Sequence, residues 1–168
     1  MSATLSYVDA VDLLDADHKL AQKMFIDYQG LCEDGAPSEA RRKLALKICQ
    51  DLTVHTQIEE EIFYPRVRAA IKDDPLMEEA LREHAEAKQM IARIQGMTPA
   101  DSGYDDAVKQ LFMAVMDHVL EEREQIFLKA RYSTADLRGM VPELYARKKE
   151  LQTGAPAPAP AGKKKVAA

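Results

Sequence analysis

The chain has 168 residues, 46% of them hydrophobic, so it is long enough to form the core of one domain without disulfides or a structural metal ion. Its formal net charge of −5 argues against a dedicated nucleic-acid binder, which usually needs a basic face. No stretch approaches the roughly 18 apolar residues of a membrane span, and the N-terminus does not resemble a secretory signal. We therefore expect a cytoplasmic protein.

Helix-forming residues dominate the composition and Trp is absent, which favours an all-α fold. Apolar residues recur at spacings of three and four through residues 8–31, 40–71, 76–94 and 105–130. Residues 33–38, 72–75 and 96–103 separate these stretches and contain the glycines and prolines typical of turns. Such short connections predict antiparallel neighbours, and hence an up-down-up-down four-helix bundle.

Pro65 lies inside the second helical pattern and would kink the helix or end it near Tyr64. We predict one kinked helix, because Val67 and Ile71 continue its apolar face. Beyond the fourth helix, residues 142–151 predict a short C-terminal helix, and the Ala-Pro repeats and lysines of residues 153–168 predict a disordered tail. The expected domain therefore covers residues 1–152.

All four histidines of the chain occupy core-facing positions of the apolar stripes, and two of them are followed four residues later by a glutamate on the same face. The polar residues on these stripes are His18, His55, Glu59, His84, His118 and Glu122. In an antiparallel hairpin, residues equally distant from the turn lie side by side. Counting from each connection places all six at one height, so we expect them to converge on one layer.

Two glutamates in an apolar interior cost several kcal/mol unless a cation compensates them. A single histidine, or one His–Glu pair, usually has a bland structural role, but coincidence on four helices at one height is rare. Six donors could saturate one octahedral ion, yet their spread along the bundle better suits two ions with bridging glutamates. Mixed nitrogen and oxygen donors suit Fe, Mn, Co or Zn, and a carboxylate-bridged pair in a bundle is most typical of iron.

These residues closely resemble the hemerythrin-like HHE cation-binding family in their order and spacing. The resemblance rests on Asp17-His18, the run from His55-Thr56-Gln57-Ile58-Glu59 to Tyr64-Pro65, Glu83-His84, and His118-Val119-Leu120-Glu121-Glu122. It covers residues 8–150 or so. It implies a bundle with two non-haem iron ions, cycling between Fe²⁺ and Fe³⁺ with an oxo or hydroxo bridge and ligated by the six residues named above.

The chain departs from the oxygen-carrying hemerythrins at two positions. Lys88 stands where those proteins have a histidine, and the last carboxylate is Glu122, four residues after His118, instead of an aspartate at five. The resemblance therefore implies a more open and more carboxylate-rich iron site. Such a site favours redox turnover over stable oxygen carriage.

We expect a small apolar pocket beside the ligands, lined by Ala21, Leu52, Ala87 and Val115 and sized for O₂, NO or hydrogen peroxide. Lys88 and Asp51 could meet at the same level, either supporting the site or as an exposed ion pair worth little. The leading function is a di-iron protein that binds or reacts with these small oxidants, including catalase-like peroxide breakdown or ferroxidase-like iron oxidation. The alternative is a non-enzymatic oxygen-sensing, iron-sensing or oxygen-binding module. The sequence does not fix the oligomeric state.

Overall fold

A computed structural model describes residues 7–154, which form five helices joined by turns. Three of them are regular: α1 (Ala10–Glu33), α3 (Asp74–Gln95) and α5 (Val141–Thr153). The other two each contain a π-helical turn: α2 comprises Ser38–Ile58, Glu59–Phe63 (π) and Tyr64–Ile71, and α4 comprises Tyr104–Glu121, Glu122–Phe127 (π) and Leu128–Arg131.

The first four helices form a closed ring, in which α1 and α3 each pack against both α2 and α4. Short connections make sequential helices antiparallel, so the predicted all-α, up-down-up-down bundle is confirmed. The short C-terminal helix α5 packs against α1 and α2. It continues through Thr153, the first residue of the predicted tail, and residues 155–168 of that tail lie outside the described residues.

The turn between α2 and α3 sets the height of α3 against its neighbours. Lys72 ends α2 in the left-handed conformation, with a φ of 54°. The Asp73 side chain then accepts a hydrogen bond of 3.2 Å from the Leu76 amide, and Pro75 occupies the first turn of α3 as its position in the sequence predicted.

α2 runs through Pro65 as one helix, as predicted, but its irregularity is a π-helical turn that precedes the proline. A proline cannot donate its backbone amide and crowds the carbonyl four residues earlier, so a wider turn before it relieves the clash. The π-helical turn of α4 contains no proline. Both turns begin at a buried glutamate, Glu59 in α2 and Glu122 in α4, which makes the glutamate their shared feature.

The apolar core is divided into two clusters that share no residue among residues 7–154. The first cluster, around Phe63, Met77 and Leu144, lies at the end covered by α5. The second cluster, around Ile48 and Leu111, fills the other end. Along α1, α2 and α3 the histidines fall between the stretches that form the two clusters. On α4, His118 lies beside Val119 at the edge of the second cluster, and Glu122 falls between the two stretches. Within this range, no helix has the length and apolar composition needed to cross a membrane.

Candidate metal centre

The six predicted residues come together in the layer between the two apolar clusters. They form two overlapping groups, each with ligand atoms within 4.8 Å of one another. The first position consists of His18, His55, Glu59 and Glu122, and the second position consists of Glu59, His84, His118 and Glu122. Both glutamates belong to both positions.

Each glutamate turns one oxygen towards the first position and its other oxygen towards the second. Glu59 Oε1 lies 3.1 Å from His55 Nε2, and its Oε2 lies 3.2 Å from His84 Nε2. Glu122 Oε1 lies 3.1 Å from His18 Nε2, and its Oε2 lies 3.5 Å from His118 Nε2. The two carboxylates are thus arranged so that each could bridge a pair of ions.

Three of the four carboxylate oxygens that face this layer lack hydrogen-bond donors. Glu59 and Glu122 are fully buried, and within the described part of the chain both oxygens of Glu59 and Oε1 of Glu122 accept no well-aligned hydrogen bond. The nearby histidine nitrogens approach one another as well, at 3.0 Å for His18 and His55 and at 3.1 Å for His84 and His118. Buried carboxylate oxygens that accept no hydrogen bond and lie beside converging imidazole nitrogens fit a bound cation.

Each histidine also has a carboxylate against its outer nitrogen, Nδ1. The four pairs are His18 with Asp15 at 3.3 Å, His55 with Asp17 at 3.0 Å, His84 with Glu60 at 3.0 Å, and His118 with Glu83 at 2.5 Å. A carboxylate at Nδ1 directs the free electron pair of Nε2 inwards, which is the usual support for a metal-bound histidine. Asp17 directly precedes His18 but contacts His55 of the neighbouring helix, and Glu83 directly precedes His84 but contacts His118. An acidic residue before a histidine was therefore the signal in the sequence that could have predicted these contacts.

Lys88 supports this layer through a partner other than the predicted one. The predicted contact with Asp51 is wrong, because Asp51 pairs with Lys47. Lys88 Nζ instead lies 2.7 Å from both oxygens of Glu60, whose Oε1 contacts His84. Lys88 therefore balances the charge of a carboxylate that orients His84.

Tyr64 belongs to the site and was not singled out from the sequence. Its hydroxyl donates to Glu122 Oε2 at 2.5 Å and lies 3.2 Å from His84 Nε2. Burial, together with the Glu122 and Glu59 carboxylates, raises the pKa of Tyr64 well above its usual value. The side chain therefore remains a protonated donor to the one inward oxygen of Glu122 that has a partner.

A cavity of about 70 Å³ adjoins the histidines and is mostly apolar. Its lining includes the four residues predicted from the sequence, Ala21, Leu52, Ala87 and Val115. A water molecule needs about 10–15 Å³ in the same measure, so the cavity is large enough for small molecules of a few atoms. The exposed side chain of Gln152 also contributes to the lining, which places solvent near one end.

An ion that binds to His118 must displace a proton from its ring. Burial disfavours the charged form of His118, but the neighbouring Glu122 and Glu83 carboxylates outweigh burial and raise its pKa to about 10. The ring is therefore charged at neutral pH, whereas only a neutral imidazole binds metal.

We expect the affinity for Co²⁺ to rise with pH, by about tenfold per pH unit for each proton released between about pH 6 and pH 8. Chelator competition at several pH values gives the affinity, and the pH change of a weakly buffered solution gives the number of protons released. An affinity that stays constant over this range would contradict the prediction.

Comparison with known proteins places this geometry in a family. The model of the hemerythrin HHE cation binding domain matches residues 9–130. A DNA nickase from Nostoc sp. is 29% identical over 143 residues, which are 84% of this chain but only 39% of that protein.

The same fold occurs in a solved structure. A crystal structure of a hemerythrin HHE cation binding domain-containing protein from Mycobacterium kansasii matches with a TM-score of 0.72 and 19% identity, over 88% of this chain and 90% of that chain. At this identity the likeness shows the fold alone. Since the family model covers most of the chain and its predicted motif residues meet in one layer, this chain belongs to the hemerythrin HHE cation-binding domain family.

Proposed function

We propose that the chain binds two non-haem iron ions at the first and second positions and that this pair binds or reacts with O₂, hydrogen peroxide or NO. The observation that carries the proposal is the orientation of Glu59 and Glu122. Each of them turns one oxygen towards the first position and the other towards the second. Nitrogen and oxygen donors without a thiolate, paired in a helical bundle, are most typical of iron.

The residues at each position leave room for an outside ligand. Each position has two imidazoles and one oxygen from each glutamate, which is fewer than the six donors of octahedral coordination. When bound, the iron pair would supply electrons and a place for the oxidant. The apolar cavity beside the histidines would admit small uncharged molecules and exclude larger reductants.

Anaerobic reconstitution with Fe²⁺ tests the proposal. We expect two iron ions per chain by elemental analysis, and ferric absorption that appears after addition of O₂ or peroxide. Protein that retains zinc alone, or iron that never changes its spectrum with either oxidant, would overturn it.

The same preparation separates an enzyme from a binding module. Sustained oxygen evolution from peroxide favours catalase-like turnover, and repeated oxidation of added Fe²⁺ favours a ferroxidase. A reversible spectral change without turnover favours an oxygen-binding or sensing role. DNA cleavage is not carried over from the Nostoc relative, because this chain spans 39% of that protein and its net charge of −5 disfavours phosphate contacts.

Filling the cavity tests the path of the small ligand. Ala87→Phe places a ring in the cavity, so we expect NO or peroxide to react with the reduced iron pair about ten- to a hundredfold more slowly, without loss of iron. Stopped-flow absorption measures the rate. Ala85→Phe is the matched control, because Ala85 is exposed on the same helix. Equal rates in the two variants would show that the ligand enters elsewhere.

A further inference from the structure

Helix α5 lies beyond the matched residues 9–130 but is firmly attached to the bundle. Leu144 is fully buried in the first apolar cluster. Arg147, only 7% exposed, donates hydrogen bonds of 2.7 and 3.2 Å to the two oxygens of Glu61, which lies in the π-helical turn of α2. These contacts hold one face of α5 against the helix that carries His55 and Glu59.

The next residue of α5, Lys148, reaches the metal layer through one intermediate. Its ammonium group donates to Asp17 Oδ1, while Asp17 Oδ2 lies 3.0 Å from His55 Nδ1. On the far side of the same ring, His55 Nε2 lies 3.1 Å from Glu59 Oε1. An unbroken series of polar contacts thus runs from α5 to the first position.

Lys148 and Asp17 are sheltered from solvent, with 18% and 12% of their side chains exposed. An ion pair in this setting holds its geometry better than one in open water. Without the ammonium group, Asp17 would lose the partner that fixes one oxygen while the other contacts His55.

We propose that Lys148 is a positioning residue for the first position, which it orders by holding Asp17 against His55. The inference rests on the proposed binding of two metal ions but not on any reaction with oxidants. Lys88 occupies the corresponding place for the second position, through Glu60 and His84. The two lysines come from different helices, α5 and α3, so the support of His55 through Asp17 is separate from that of His84 through Glu60.

Substituting Lys148 by Met keeps the length of the side chain and removes its charge. The effect on each position is measured separately with Co²⁺, in a His84→Ala background that retains the first position and a His55→Ala background that retains the second. We expect Lys148→Met to weaken Co²⁺ binding about three- to tenfold in the first background and to leave it unchanged in the second. The visible absorption of bound Co²⁺ should change only in the first background, and Lys148→Arg should restore both affinity and spectrum.

Lys149→Met is the matched control, because it removes the same charge from the same helix. The ammonium group of Lys149 lies over the Tyr145 ring, 5.3 Å from its centre. Equal Co²⁺ affinities for Lys148→Met and Lys149→Met, or equal losses in both backgrounds, would overturn the proposal. If Lys148→Met does not fold, as judged by circular dichroism, Lys148→Gln answers the same question with the same expected loss of about three- to tenfold at the first position. Unaltered protein that binds fewer than two Co²⁺ ions would instead overturn the proposed two-metal centre.

Discussion

Glu122→Gln is expected to abolish stable binding at both positions, with the affinity of each falling about a hundredfold or more. Glu122 is fully buried and turns one oxygen towards His18 and the other towards His118. The amide removes the negative charge that both ions share and replaces one oxygen donor with an NH₂ group. A single histidine substitution such as His55→Ala, by contrast, removes a donor from one position only.

Elemental analysis of gel-filtered protein after reconstitution measures the result as ions per chain. Glu124→Gln provides the control, since it makes the same chemical change at an exposed site in the same π-helical turn. Retention of one full equivalent of metal by Glu122→Gln would show that this carboxylate serves one position rather than two.

Removing the metal is expected to lower the thermal stability of the chain substantially. An ion present at about a hundred times its dissociation constant adds about 2.7 kcal/mol to the free energy of unfolding, so two ions add about 5 kcal/mol. For a chain of this size that corresponds to a fall in melting temperature of about 10–20 °C on chelation. Differential scanning calorimetry of loaded and chelated protein measures the change.

The Glu122→Gln variant supplies the reference, because a chain that cannot hold the ions should melt at the same temperature with and without chelator. Loaded and chelated forms of the unaltered chain that melt within about 2 °C of each other would contradict the expected stabilisation.

The convergence of the six polar residues could be predicted because it depends on regular quantities. Helical periodicity fixes which face His18 and His84 occupy, and the length of each connection fixes their height. The same reasoning predicted that Ala21 and Ala87 line a cavity one layer away, as the structure shows. Where the helix is regular, counting residues is enough to predict the face and the height of a side chain.

The supporting contacts could not be predicted because they depend on side chains that cross between helices. Asp17 contacts His55 of α2 rather than its neighbour His18, and Lys88 contacts Glu60 rather than Asp51. Glu60 and Tyr64 lie in or just after a π-helical turn, where the extra residue shifts the direction of every later side chain relative to a regular helix. Counting at 3.6 residues per turn gives the wrong direction for side chains there, so it did not predict that Tyr64 points into the site.

The division of the core gives the metal layer a role in how the bundle unfolds. The two apolar clusters share no residue within the described range, so the packing of one end does not depend directly on that of the other. Two ions held by all four bundle helices would cross-link that boundary, and loss of metal would leave hydrogen bonds among buried polar groups in their place. Metal occupancy would then govern the cooperativity of the molecule as well as its chemistry, and amide exchange in the metal-free chain would distinguish two separately opening ends from one.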